Sequence, residues 1–220
     1  MKTRRLAVTM VLALAACAGT PPPDWQMNAS SSLQRATEAY LAGDNRVAGV
    51  EFARARAELA RTGRADLVAR GELLRCAAQI ASLALGERET CTAFQALAED
   101  AAAPEKAYAR YLAGAAQASD VVLLPRAQQA LAANPAASAT ALAAIDDPLS
   151  RLVAAGVLFR SGRATPAVIA QAIDTAAEQG WRRPLLAWLM LQQQRARAAG
   201  AEEEVRRLQR RIDLVLEAAP

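Results

Sequence analysis

The feature that most constrains the fold is the spacing of the apolar residues. Ala48, Phe52, Ala55 and Leu59 recur at steps of four, three and four residues, which is the period of an amphipathic α-helix. The segment 67–85 continues this rhythm and is apolar on two sides, so we expect a helix packed between two neighbours. β-branched residues are sparse in these segments. The sequence therefore predicts an all-α fold.

Capping residues, prolines and glycines predict where the helices begin and end. Asn134, Asp147 and Thr165 each precede a proline, an order typical of an N-cap followed by the first helical residue. Glycines that suit a left-handed C-cap end several periodic segments, at Gly43, Gly63, Gly86, Gly162, Gly180 and Gly200. These signals predict about eleven helices, near 32–42, 44–62, 64–85, 88–100, 104–118, 121–133, 135–146, 148–161, 166–179, 183–199 and 201–218.

The predicted helices form pairs with a period of about 40 residues. The turns within the pairs fall at Gly43, Gly86, Leu124-Pro125, Gly162 and Gly200. In the first pair, Gly43, Ala48, Phe52 and Ala55 keep a spacing that resembles the tetratricopeptide repeat, where small and aromatic residues line the packing face of the second helix. The resemblance covers residues 35–60 and implies a right-handed α-solenoid of helical hairpins. The alternative is an irregular helical bundle.

The N-terminal residues resemble a bacterial lipoprotein signal. A basic head, 1–5, precedes an apolar run of eleven residues, Leu6 to Ala16, which is too short to cross a bilayer and typical of a secretory signal. Leu14-Ala15-Ala16-Cys17 resembles the lipobox. This resemblance implies that residues 1–16 are removed and that Cys17 is lipidated. The alternative is an ordinary secretory signal with an incidental cysteine.

The residues after Cys17 indicate the destination of the protein and the form of its tether. Ala18 in place of an aspartate implies transport to the outer membrane, by the same resemblance. Pro21, Pro22 and Pro23 favour an extended strut, so we predict a tether over residues 17–31 and a single helical domain over 32–220.

The charge of the mature chain argues against nucleic-acid binding. Lys2, Arg4 and Arg5 leave with the signal, so 23 of the 26 basic side chains remain against 22 acidic ones. A near-neutral body with 4% aromatic residues lacks the basic patch that nucleic acid requires.

The sequence contains no constellation of catalytic residues. It has no histidine, which excludes Ser-His-Asp and Cys-His nucleophiles and most transition-metal sites, and it has no Gly-rich phosphate loop. Carboxylates alone could serve a hydrolase such as a lytic transglycosylase, but the Glu-Ser pair of that family is missing. Asp146-Asp147 is better explained as a helix cap. We expect no enzyme, no cofactor and no metal.

The remaining cysteines are candidates for a disulfide, and two tryptophans are candidates for partner contacts. Cys76 and Cys91 are predicted to form a disulfide in an oxidising envelope, although a straight helix over 64–85 would keep them apart; two buried thiols are the alternative. Trp181 and Trp188 are candidate partner-binding residues, with burial in the core as the alternative. Arg54 is a further candidate contact.

These observations predict an outer-membrane-anchored periplasmic lipoprotein that acts as a protein-interaction scaffold or assembly factor. Its partners would be the membrane, through Cys17, and another envelope protein, since helical repeats present surfaces to segments of other chains. A regulator of a peptidoglycan enzyme is the alternative, and a carboxylate-only hydrolase is a third possibility.

Overall fold

The computed structural model describes residues 21–84, 91–134, 136 and 138–217, and the fold is all-α, as predicted: no strand occurs in these residues. Eleven α-helices and one 3-10 helix (Ala118–Leu123) are found there. The α-helices are α1 (Asp24–Ala42), α2 (Asn45–Ala60), α3 (Ala65–Ala81), α4 (Thr92–Gln95), α5 (Ala103–Leu112), α6 (Arg126–Ala133), α7 (Ser138–Ala143), α8 (Pro148–Arg160), α9 (Pro166–Glu178), α10 (Arg182–Ala198) and α11 (Glu202–Glu217).

The first helix is longer than predicted. It begins at Asp24, directly after Pro23, so residues 24–31 belong to the helical body and the tether predicted over 17–31 ends earlier. The reason is packing. Ala29 is buried with Leu59 and Val68, and the half-buried Trp25 lies against the same cluster. Trp25 and Ala29 are four residues apart and therefore share one face of the helix.

Several predicted helix ends are confirmed. The helices in the middle of the chain are less regular than predicted. Asp147 and Thr165 accept hydrogen bonds from Ser150 N and Val168 N as N-caps. The predicted turn glycines within the described residues have left-handed backbones, and Gly86 lies outside those residues. The helix predicted over 121–133 is instead a 3-10 helix and α6, interrupted at Leu124-Pro125. Proline has no N–H to continue a helix.

Helices α3 and α8 form the centre of the core. All residues from Leu152 to Leu158 in α8 are buried, and α3 packs between α2 on one side and α5 and α8 on others, which confirms the prediction of a helix with two apolar sides. The backbones of α3 and α8 approach closely at Gly156. A Cβ at this residue would lie 2.4 Å from the Ile80 carbonyl oxygen, so only glycine fits.

The helices contact each other in a closed circuit. Each of α1, α2, α3, α8, α9 and α10 packs against the next, and α10 returns to α1. Arg183 closes the circuit by donating to the Tyr40 carbonyl oxygen at 2.6 Å and lying over the Tyr40 ring. Each repeat of a solenoid contacts only its neighbours. The hairpins α1–α2 and α10–α11 are present. The arrangement nevertheless differs from an open solenoid, because the α1–α10 and α3–α8 contacts join segments that are distant in sequence.

Ion pairs join neighbouring elements of the N-terminal half. In each pair a buried carboxylate meets the exposed or partly exposed guanidinium of an arginine from an adjacent element: Glu51 with Arg35, Glu72 with Arg56, Glu105 with Arg70 and Asp120 with Arg110. The Arg35 hydrogen bond lowers the pKa of Glu51. The Arg110 hydrogen bond, helped by the Gln117 N–H, lowers the pKa of Asp120 to about 2, because both favour the charged carboxylate.

Candidate partner-binding groove

The closed circuit leaves a surface groove between α1 and the ends of α8, α9 and α10. Its volume is about 500 Å³, which lies within the range of about 300–1,000 Å³ found for ligand pockets. Aliphatic side chains and one indole ring provide much of its lining, with polar groups between them. The lining residues are Ser30, Leu33, Gln34, Thr37, Glu38, Leu41, Leu74, Asp147, Pro148, Leu149, Gln179 and Trp181. We call this surface the α1 groove.

One face of α1 forms the long wall of the α1 groove. The α1 residues in the lining stand at steps of three, one, three, one and three, from Ser30 to Leu41, and this spacing keeps them on one side of a helix. Leu41 is the eleventh residue after Ser30, which corresponds to about 16 Å along the helix axis. The α1 groove is therefore elongated, and it follows the axis of α1.

The charged residues that line the α1 groove are both acidic. Glu38 is exposed and accepts a hydrogen bond from Gln34 Nε2 at 2.9 Å. Asp147 is exposed and caps α8. Neither carboxylate has an ion-pair partner among the described residues. The α1 groove thus combines apolar lining with unneutralised negative charge.

The two candidate tryptophans have different environments. Trp181, the residue before α10, is half-buried and lines the α1 groove. Trp188 is fully buried: its Nε1–H donates to the Ala81 carbonyl oxygen at 3.0 Å, and its ring meets Phe159 edge to face. Trp188 is therefore a core residue, which is the alternative given above, and its fully buried indole offers no surface to a partner.

Arg54 lies apart from the α1 groove. It donates to Glu51 Oε1 at 2.7 Å and borders a separate depression between α1 and α2. Its guanidinium helps to neutralise a carboxylate that also bonds Arg35. The structure thus does not bring Arg54 and Trp181 together in one site.

The cysteine pair is joined in the structure. Cys76 and Cys91 form a disulfide with their Cα atoms 5.6 Å apart, within the usual range for such bonds. The helix that would have kept them apart ends at Ala81, and Leu83 has a left-handed backbone with φ of 51°. The chain therefore leaves the axis of α3 early enough for the two residues to meet. Cys17 lies outside the described residues.

The described residues contain no cluster of three or more acidic or thiol side chains that could hold a metal ion. None of the described helices has the length and apolar character needed to cross a membrane. Comparison of the chain with protein-family models, curated proteins and solved structures gave no match.

Sequence reasoning found Trp181 but missed the other walls of the α1 groove. Leu33, Thr37 and Leu41 stand four residues apart, which was a readable signal of a helix face. Nothing in the sequence shows that Leu149 and Trp181, more than 100 residues later, would lie across from that face.

Proposed function

We propose that this protein is a lipid-anchored scaffold of the bacterial cell envelope that holds a partner protein in the α1 groove. The observation that carries the proposal is the α1 groove itself, where apolar side chains and Trp181 remain open to solvent between polar residues. An apolar surface with a polar rim is typical of a protein interaction site. Half-buried aromatic residues are frequent anchors in such sites.

The proposed location comes from the sequence. Leu14-Ala15-Ala16-Cys17 supports lipidation of Cys17, and Ala18 supports retention at the outer membrane with the helical body facing the periplasm. Helix α1, the first helix of the hairpin whose spacing resembles a tetratricopeptide repeat, supplies one wall of the α1 groove. The proposal therefore keeps a repeat-like hairpin as the recognition element within a closed circuit of helices.

Photo-crosslinking in intact cells tests the scaffold role. A crosslinking amino acid at Gln34, on the exposed rim of the α1 groove, is expected to give a specific adduct, whereas one at the exposed Glu99 is the matched control. A barrel or secretin component in the adduct supports an assembly factor, and a peptidoglycan synthase or hydrolase supports the regulatory alternative. Equal adducts from both positions, or none from Gln34, would contradict the scaffold role.

Fractionation of a Cys17→Ala variant tests the anchor. We expect loss of acyl labelling and release of the protein from the membrane fraction, since two or more acyl chains are needed for stable anchoring. A Cys76→Ala/Cys91→Ala variant is the control, because it removes the other two cysteines but leaves the lipobox intact. Unchanged membrane retention of Cys17→Ala would overturn the lipid anchor.

A further inference from the structure

We propose that the ligand of the α1 groove is a cationic amphipathic segment of the partner protein, which lies along α1 with its apolar side chains against Trp181 and its Lys or Arg side chains near Glu38 and Asp147. This inference rests on the proposed function and adds the chemistry of the ligand to it. Two independent features of the α1 groove support it, its shape and its charge.

The shape favours a chain segment over a compact small molecule. The α1 groove follows one face of α1 for about 16 Å, or three helical turns. An amphipathic helix that binds such a groove inserts side chains at positions i, i+3, i+4 and i+7. Leu33, Leu149 and Trp181 are partly exposed and spread over the lining, so they offer separate apolar contacts to successive side chains. A segment of about eleven residues would match the length.

The charge favours a basic ligand. Glu38 and Asp147 are the charged lining residues, and neither is neutralised by an ion pair among the described residues. Among the exposed charged neighbours of the lining residues, Asp146 and Glu178 add negative charge, whereas Arg35 is paired with Glu51 and Arg75 lies over the Phe52 ring. An acidic segment would meet like charges here, whereas a basic one gains complementary charge, which directs partner choice and speeds association.

The arginines that follow Trp181 do not cancel this charge. Arg183 donates to the Tyr40 carbonyl oxygen and to Asn45 Oδ1, and the Arg182 guanidinium lies beside Gly43. Both groups therefore lie at the α1–α2 turn, beyond the Leu41 end of the α1 groove.

A second copy of the chain is the occupant that the test must separate from a partner segment. Helix α11 carries Arg210 next to the exposed Leu214 on its outer surface, so it shares the basic and apolar character of the proposed ligand. Insertion of α11 into the α1 groove of another molecule would be a head-to-tail contact, and such contacts produce rings or open chains of subunits.

Selection from a library of displayed 15-residue random peptides tests the ligand chemistry. The full helical body, with its disulfide intact, is the target. We expect the selected peptides to be enriched in Lys or Arg beside Leu, Phe, Met or Trp relative to the input. Their affinity should fall at least about tenfold for Glu38→Lys and weaken with added salt. Glu99→Lys, which makes the same charge change at an exposed residue outside the α1 groove, should bind like the wild type.

Three outcomes would overturn the inference: no peptide selected, no enrichment of basic residues, or equal binding to wild type and Glu38→Lys. Concentration-dependent oligomers that Glu38→Lys abolishes would also overturn it, in favour of the second copy. Circular dichroism of each variant excludes loss of the fold as the cause. These results are distinguishable from failure of the proposed function, because a protein without a scaffold role would give no specific Gln34 adduct in cells. A specific adduct without basic enrichment would leave the scaffold in place and reject only the cationic ligand.

Discussion

The N-terminal and C-terminal helices of this molecule are held together by different interactions. From α1 to the 3-10 helix, arginines on the surface reach buried carboxylates on the adjacent element, and the disulfide adds a covalent link. From α8 to α11, the contacts are mainly apolar, and the ion pair found among the described residues there, Glu204 with Arg207, lies within one helix. Leu152, Leu158 and Trp188 are fully buried in this half, and the N-terminal half adds its ion pairs to a core of its own that includes Leu41, Leu73 and Leu112.

This difference shows how an alanine-rich chain can bury its helices in two ways. Between the N-terminal helices, where one element presents a carboxylate to its neighbour, a charged hydrogen bond adds to the apolar packing and fixes the register. Between the C-terminal helices, the packing of bulky side chains dominates. We therefore expect the N-terminal half to respond to charge and redox changes, and the C-terminal half to respond to changes in side-chain volume.

The largest effect is expected for Trp188→Ala. The side chain is fully buried and bonds the Ala81 carbonyl oxygen, so its loss should lower the free energy of unfolding by about 3–5 kcal/mol. Urea denaturation followed by circular dichroism measures this. Trp181→Ala, at the half-buried indole of the α1 groove, is the matched control and should cost roughly 1 kcal/mol. Equal losses in the two variants would contradict the assignment of Trp188 to the core.

Removal of the disulfide should have the next largest effect. The Cys76→Ala/Cys91→Ala variant opens a loop with a sequence separation of 15 residues, and we expect a loss of about 3 kcal/mol. Thermal unfolding with and without a reductant measures it. Reductant should destabilise the wild type and leave the double variant unchanged. A wild type that is indifferent to reductant would show that the covalent link does not stabilise the N-terminal half.

Gly156→Ala tests the contact between the two halves. The added Cβ would lie 2.4 Å from the Ile80 carbonyl oxygen, so α8 must move away from α3, at a cost of about 1–3 kcal/mol. Gly49→Ala is the control, because Gly49 is exposed within α2 and has no neighbouring atom in reach. That change should stabilise the protein by about 0.5–1 kcal/mol. A neutral Gly156→Ala would indicate a looser α3–α8 contact than the structure gives.

The smallest effect is expected for Arg110→Met, because the guanidinium is partly exposed and water screens its charge. The variant should be less stable than the wild type at pH 7. The pKa of Asp120 is lowered from 3.8 to about 2, so the stabilisation by Arg110 is complete above about pH 4 and is lost as the pH falls through about 2.

Urea midpoints of wild type and Arg110→Met should therefore differ at pH 7 and draw together as the pH falls from about 4 to about 2. Arg61→Met, which breaks an exposed pair with Glu58 at the end of α2, is the control and should behave like the wild type at every pH. A constant difference across the pH range would show that the Arg110 side chain acts by packing and that its charge is not involved.

Local features of the fold could be predicted from the sequence, and the closure of the circuit could not. The caps at Asp147 and Thr165 depend on adjacent residues, so a short sequence window is sufficient to find them. The contact of Arg183 with Tyr40 spans 143 residues and leaves no periodic signal. The α1 groove exists only because of this closure, so the residues that face α1 across it were unpredictable except for Trp181.

Polarity misled the sequence-based prediction at the start of α1. Residues 28–31 were assigned to the tether, yet they belong to α1, where Ala29 is buried. Glu51 and Glu72 are also buried, because an arginine 16 residues earlier in each case reaches the carboxylate. Such pairs become visible only once the length of each hairpin is known.

The early start of α1 limits the distance between the membrane and the helical body if Cys17 is lipidated as proposed. Asp24 is the seventh residue after Cys17, so a lipid on Cys17 would restrain the first turn of α1 to at most about 25 Å from the bilayer surface. The α1 groove begins at Ser30, less than two turns further along the same helix. A tether of this length would allow the α1 groove to reach only proteins that lie close to the membrane. Proteins whose basic segments lie within this reach would meet the α1 groove at a high effective concentration.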